Sequence, residues 1–123
     1  MGVALELTQH RDVVTVRQQS LPGSAAATYE ALVAVLPDLG HRLVFTDRPS
    51  GIIVAQSKFS WWTAAKHQLT ASSHDATENT TSFSVKVETL WVLENPFYFG
   101  VAKQRSALID GLLDRLGRRL GAT

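Results

Sequence analysis

The sequence contains no cysteine. That one absence excludes disulfides, thiolate metal sites, iron–sulfur clusters and cysteine nucleophiles together, and it fits a reducing compartment, so the expected location is cytoplasmic. There is no apolar run approaching the roughly 20 residues that cross a bilayer, so no membrane span is expected. Met1–Gln9 does not read as a signal peptide, because Glu6 interrupts its short apolar stretch and no basic flank precedes it. Charge of one sign is also missing: Lys and Arg number 12 against 11 Asp and Glu, a net charge of +1, which gives no electrostatic reason to expect nucleic acid or an anionic membrane as partner. Neither a phosphate-cradling glycine motif nor a G-x-S-x-G elbow is present, so no nucleotide cofactor and no hydrolase nucleophile is expected.

The chain has 123 residues, 45% of them hydrophobic, a size suited to one domain over residues 1–123 with a single core. From Asp12 to Gln19 the β-branched Val13, Val14, Thr15 and Val16 predict a strand, and the alternation of Val3, Leu5 and Leu7 permits another before it, with His10-Arg11-Asp12 as the turn. Leu21-Pro22-Gly23 then punctuates the chain. Ser24 can cap a helix running from Ala25 toward Leu36, on which Tyr29, Leu32, Val33 and Leu36 fall on one stripe. Pro37 and Gly40 are expected to end it.

His41–Thr46 and Gly51–Ser60 read as strands joined by the turn formers of Asp47-Arg48-Pro49-Ser50. On the second, Ile53, Ala55, Ser57, Phe59 and Trp61 share the inward face. Lys66–His74 gives a weaker strand, and Asn79-Thr80-Thr81, formally a glycosylation sequon, reads as a turn into the strongest one, Thr81–Leu93. There Phe83, Val85, Val87, Trp91 and Leu93 alternate with polar residues until Leu90–Leu93 become uniformly apolar. A long helix from Val101 to Leu120 presents Leu108, Ile109, Leu112, Leu113, Leu116 and Leu120 on one side. The expected fold is therefore α+β: a two-layer sandwich in which an antiparallel sheet of about five strands (a strand, a helix, a four-strand meander and a helix in chain order) packs against two helices, the long C-terminal one lying across the sheet.

A strand followed by Leu21-Pro22-Gly23-Ser24 and a helix bearing Tyr29, then a meander and a long last helix, resembles the START-related helix-grip domains. In these a curved sheet grips the last helix around an apolar cavity. The resemblance covers most of the chain and is one of layout; the helix-grip families normally have more strands and a second short helix. The segment from Leu39-Gly40 through Asp47, Gly51 and Ile52 to Ser60-Trp61-Trp62 is similar to the start of small bacterial strand-helix-meander-helix domains with a TATA-box-binding-protein-like fold, which recur in lipoprotein and envelope-assembly modules. No motif of either family is matched, so neither resemblance assigns a site residue.

Of the four histidines, His67 and His74 differ by an odd number on one strand and face opposite ways, while His10 and His41 fall at turns, where exposed histidines are ordinary; no metal site is expected. Ser73-His74-Asp75 splays apart on a strand and makes no triad. Arg115, Arg118 and Arg119 sit where the helix dipole favours cations in any protein. The aromatic residues are the most informative. With Tyr29, Phe59, Trp61, Phe83, Val85, Trp91 and Leu112 they outline a candidate apolar-ligand cleft between sheet and long helix, while Trp62, Leu90, Val92 and Tyr98 outline a candidate patch for self-association or a partner protein. A cyclase- or hydratase-type enzyme, the third class, needs an inward acid–base pair, and the inward positions read as almost wholly apolar, with only Tyr29, Ser57 and Thr89 able to supply one. The reading is a non-enzymatic interaction or assembly module without cofactor, and its alternative is a carrier of a small apolar, lipid-like molecule.

Overall fold

The structure, a computed structural model, describes residues 14–58, 65–92 and 101–121. In chain order the elements are β1 (Val14–Pro22), α1 (Ala25–Asp38), β2 (His41–Asp47), β3 (Ile52–Ser57), β4 (Ala65–Asp75), β5 (Thr80–Val92) and α2 (Val101–Gly121). The strands form one antiparallel sheet in the order β1-β5-β4-β3-β2, so the meander from β2 to β5 pairs neighbour to neighbour and β1 adds to the far side of β5. Both helices cover the same face, and the α+β two-layer sandwich is as the sequence predicts. The expected strand of Val3, Leu5 and Leu7 lies outside the described residues.

Strict alternation decides which face is covered. Ile53 and Ala55 on β3, Leu69 and Ala71 on β4, and Phe83, Val85 and Val87 on β5 are all 0–2% exposed, whereas Ser82, Lys86 and Leu90 between or beyond them face solvent. Leu32 and Leu36 of α1 and Ile109, Leu112 and Leu116 of α2 close over them. Full burial of one such side chain contributes about 1.5–3 kcal/mol. The surface ion pairs, Arg17 of β1 to Asp110 of α2 between the layers and Arg115 of α2 to Asp38 of α1 within the helical layer, contribute about 1 kcal/mol or less each, so the apolar face holds the layers together.

Ser24 caps α1 from an extended backbone (φ −86°, ψ 161°), its Oγ accepting from the Ala27 amide at 3.1 Å. Asp75, at the end of β4, accepts the Ala25 amide at 2.8 Å and ties the same helix end to the sheet. Pro37 does not stop the helix, which continues to Asp38; in this last turn the proline forfeits only its own ladder bond, and the Leu39 and Gly40 amides close the end onto Val35, Leu36 and Pro37.

Two bulges interrupt the ladders. Leu43 lies opposite Ala55 and Phe45 opposite Val54, which makes Val44 an extra residue in β2. His67 lies opposite Thr89 and Lys66 opposite Trp91, which makes Leu90 an extra residue in β5. The alternation by which Trp91 and Val92 are assigned to opposite faces is therefore broken just before them, and their side chains are outside the described set.

Gly51, in the β2–β3 turn, has φ +72°, and a Cβ there would meet the backbone oxygen of Ser73 at 2.4 Å. Gly51→Ala is expected to cost about 2–4 kcal/mol in urea unfolding, from left-handed strain plus displacement of β4. Gly40→Ala, at φ +87° with open space around it, should cost only about 1 kcal/mol. Equal losses would show that the close approach to Ser73 does not matter.

Candidate functional site

At one end of the sandwich β1, β2 and β4 begin, β3 and β5 finish, and α2 starts. There the covered face changes from hydrocarbon to polar groups. His41 is 6% exposed, His67 5%, Thr89 8% and Arg105 2%, with Gln104, Ser57 and Thr15 half-buried around them. The inward positions are thus not almost wholly apolar, as their alternation suggests, and His41 is not an exposed turn residue: it opens β2 opposite Ser57 and is drawn under the helices with the rest of the inner face.

The hydrogen bonds form a chain. Arg105 donates through Nε to Thr15 Oγ1 at 3.0 Å and through Nη1 to Thr89 Oγ1 at 2.7 Å. Thr89 Oγ1 lies 3.1 Å from His67 Nδ1, and His67 Nε2 lies 3.3 Å from Gln104 Oε1. A guanidinium can only donate, so Thr89 accepts from Arg105; the arrangement that also uses the Thr89 hydroxyl hydrogen has Thr89 donating to His67 Nδ1 and His67 donating from Nε2 to the Gln104 amide oxygen. This is the neutral imidazole. A proton on Nδ1 as well would turn two donors toward Thr89 and leave its hydroxyl hydrogen without an acceptor. The His67 backbone amide donates to Ser57 Oγ at 2.9 Å, which continues the β3–β4 ladder through a side chain one step past its last backbone pair.

Burial lowers the His67 pKa below its ordinary 6.5; the bond to Gln104 pulls it upward and the neighbouring Arg105 cation pushes it down again. His41 is lowered by burial first and by His67 second, and its Nδ1 has no hydrogen-bond partner among the described residues. Both shifts favour the neutral ring. No cluster of three or more metal-ligating side chains occurs among the described residues.

The candidate residues of the apolar cleft divide. Phe83, Val85 and Leu112 come together in the closed core, 0–1% exposed. Tyr29 also borders that core, but it lines a groove at the opposite end of the sheet, with the Arg48 guanidinium 5.2 Å over its ring. Phe59 and Trp61 lie outside the described residues, as do the side chain of Trp91 and, from the candidate patch, Trp62, Tyr98 and the side chain of Val92. Leu90 is the bulge residue and is 41% exposed on the outer face, the same face that carries Val14 and Val16. Ser73 is buried and His74 exposed, so adjacent residues do splay apart. At the basic end of α2, Arg115 pairs with Asp38 and Arg118 with Asp114, which neutralises much of the positive charge.

Sequence reasoning missed His41, Gln104 and Arg105. For Arg105 a signal exists: counting back from Leu116, Leu112 and Ile109 at helical spacing lands on it, a cation in the buried stripe.

No protein-family model matches the chain, and no curated protein matches it in sequence. Solved structures do. The crystal structure of Ara h 8.0201 superposes with a TM-score of 0.58 at 10% identity, covering 89% of this chain and 99% of that one. A solution NMR structure from Thermobifida fusca gives 0.60 at 13% identity over 89% and 94% of the two chains, and a crystal structure of a Thermus thermophilus protein gives 0.52 at 10% over 89% and 97%. At these identities the likeness is one of fold alone, and it agrees with the helix-grip layout.

Because the unfolded chain takes up protons near 6.5 and the buried rings do not, stability should be complete above pH 6.5 and fall as pH drops below it, until the lowered pKa values of the folded rings are passed. The slope is at most about 1.4 kcal/mol per pH unit for each ring. His41→Phe should reduce that slope and cost little at pH 7.5, since Nδ1 surrenders no bond; an unchanged slope in urea titrations at pH 5–7.5 would mean that His41 does not carry it. Thr89→Val should cost about 2–3 kcal/mol at pH 7.5, because it removes the acceptor of one Arg105 donor and the partner of His67 Nδ1.

Proposed function

We propose that this chain binds a small molecule with an apolar body and one polar group, held at the end of the sandwich where Arg105, Thr89, His67 and Gln104 are linked. What supports the reading is the placement of that hydrogen-bonded chain: a buried cation and two buried imidazoles are costly in a hydrophobic interior, and they gather at a single end of the sandwich. The helix-grip layout agrees with it. Binding is favoured over cyclase- or hydratase-type proton transfer because both ring nitrogens of His67 are already engaged, one by Thr89 and one by Gln104. From the cleft outlined in the sequence, Phe59, Trp61 and Trp91 are proposed to contribute the apolar contacts.

The assembly reading rests on a different observation, the exposure of Leu90, Val14 and Val16 on the outer face. One measurement separates the two. Native mass spectrometry of freshly purified protein is expected to give a monomer carrying added mass, and Gln104→Leu, folded by circular dichroism, should lose most of it. A ligand-free dimer would transfer the proposal to the outer face. A ligand-free monomer whose melting temperature no fatty acid or fatty alcohol raises would end the binding reading.

A further inference from the structure

The end of the molecule opposite the polar chain carries a groove of about 310 Å³ between the start of α1, the β2–β3 turn and the end of β4. Its volume lies at the small end of the range for ligand pockets. Three features of its lining stand apart from the needs of the fold. Ser73 is only 3% exposed, yet its Oγ has no hydrogen-bond partner among the described residues, an unmade bond that alanine would avoid. Asp75 uses one carboxylate oxygen to accept the Ala25 amide and retains the capacity of the other. Arg48 lies over the Tyr29 ring and pairs with Glu30, which engages part of a five-donor fork.

The groove therefore presents one cation and one anion, with a buried hydroxyl lacking a partner. A simple anion would be attracted by Arg48 and by the first turn of α1, where Ala25 donates to Asp75 and Ala27 to Ser24, but it would be repelled by the Asp75 carboxylate. A simple cation would meet the reverse conflict at Arg48. A small zwitterion avoids both. We propose that this groove is a second ligand site, for a small molecule carrying both an ammonium and a carboxylate, with the ammonium at Asp75, the carboxylate at Arg48 and a hydrogen bond to Ser73 Oγ. The site lies about six residues along β4 from His67, roughly 20 Å at strand rise, so it is independent of the binding end proposed above.

The test is a titration of the ¹⁵N-labelled full chain with glycine, β-alanine, 4-aminobutyrate and 6-aminohexanoate, each beside its N-acetylated and its amidated form. One zwitterion should shift the amides of Ala26, Ser50, Gly51 and Ser73 saturably, and its two blocked forms should bind at least about tenfold more weakly, each having lost a charge-assisted contact. Ser73→Ala is the decisive variant. It should weaken binding by about three- to tenfold while leaving the urea midpoint unchanged or higher, an effect that a merely structural serine would not produce. Asp75→Asn keeps an acceptor for the Ala25 amide and should still lose the ammonium contact. If no zwitterion in the series shifts these amides, if the blocked forms bind as well, or if Ser73→Ala binds as tightly as the natural sequence, the proposal is overturned.

Discussion

Everything in this molecule follows from a sheet with one apolar face. Each strand alternates, so the side chains of Ile53, Leu69, Phe83 and Val85 must all leave water on the same side, and only a second layer can remove them from it. The two helices are that layer. Their own stripes are satisfied by the same contact, which makes the burial mutual: Leu32 and Leu36 need the sheet as much as Phe83 needs them.

The polar end shows what this constraint permits. A covered face accepts donors and acceptors if every one finds a partner in a direction its chemistry allows, and the sequence of donors from Arg105 through Thr89 and His67 to Gln104 meets that condition for the groups it joins. It also links β5, β4 and α2 by directional bonds where hydrocarbon contacts thin out. The arrangement that uses every one of these groups has His67 neutral, so the packing of the α2 start is coupled to the charge of a ring two strands in from the sheet edge.

The periods of two and of 3.6 were legible in the sequence because hydrophobicity reports them directly, and element order, covered face and core could be read from them. Ser24 and Gly40 marked the ends of α1 for reasons local to the chain. The polar site was not legible in the same way. His41 looks like a residue after a turn until its pairing with Ser57 is known, and that pairing depends on where two strands meet. Arg105 lies on the stripe of Ile109 and Leu112, yet a pattern that counts only apolar residues passes over it. The bulges at Val44 and Leu90 carry no glycine or proline, so nothing in their composition announces that the alternation slips there.

The slip at Val44 has a bearing on how the protein behaves in a crowded solution. β2 is the last strand in the order, and among the described residues its outer side has no strand partner beside Val44 and Phe45, which are 42% and 53% exposed. Such a rim would ordinarily template a strand from another chain and start aggregation. With an additional residue in its middle, β2 keeps only His41–Leu43 and Phe45–Asp47 in regular register, two stretches too short to seat an incoming strand and out of step with each other. The irregularity shortens the regular template that this rim presents to another chain.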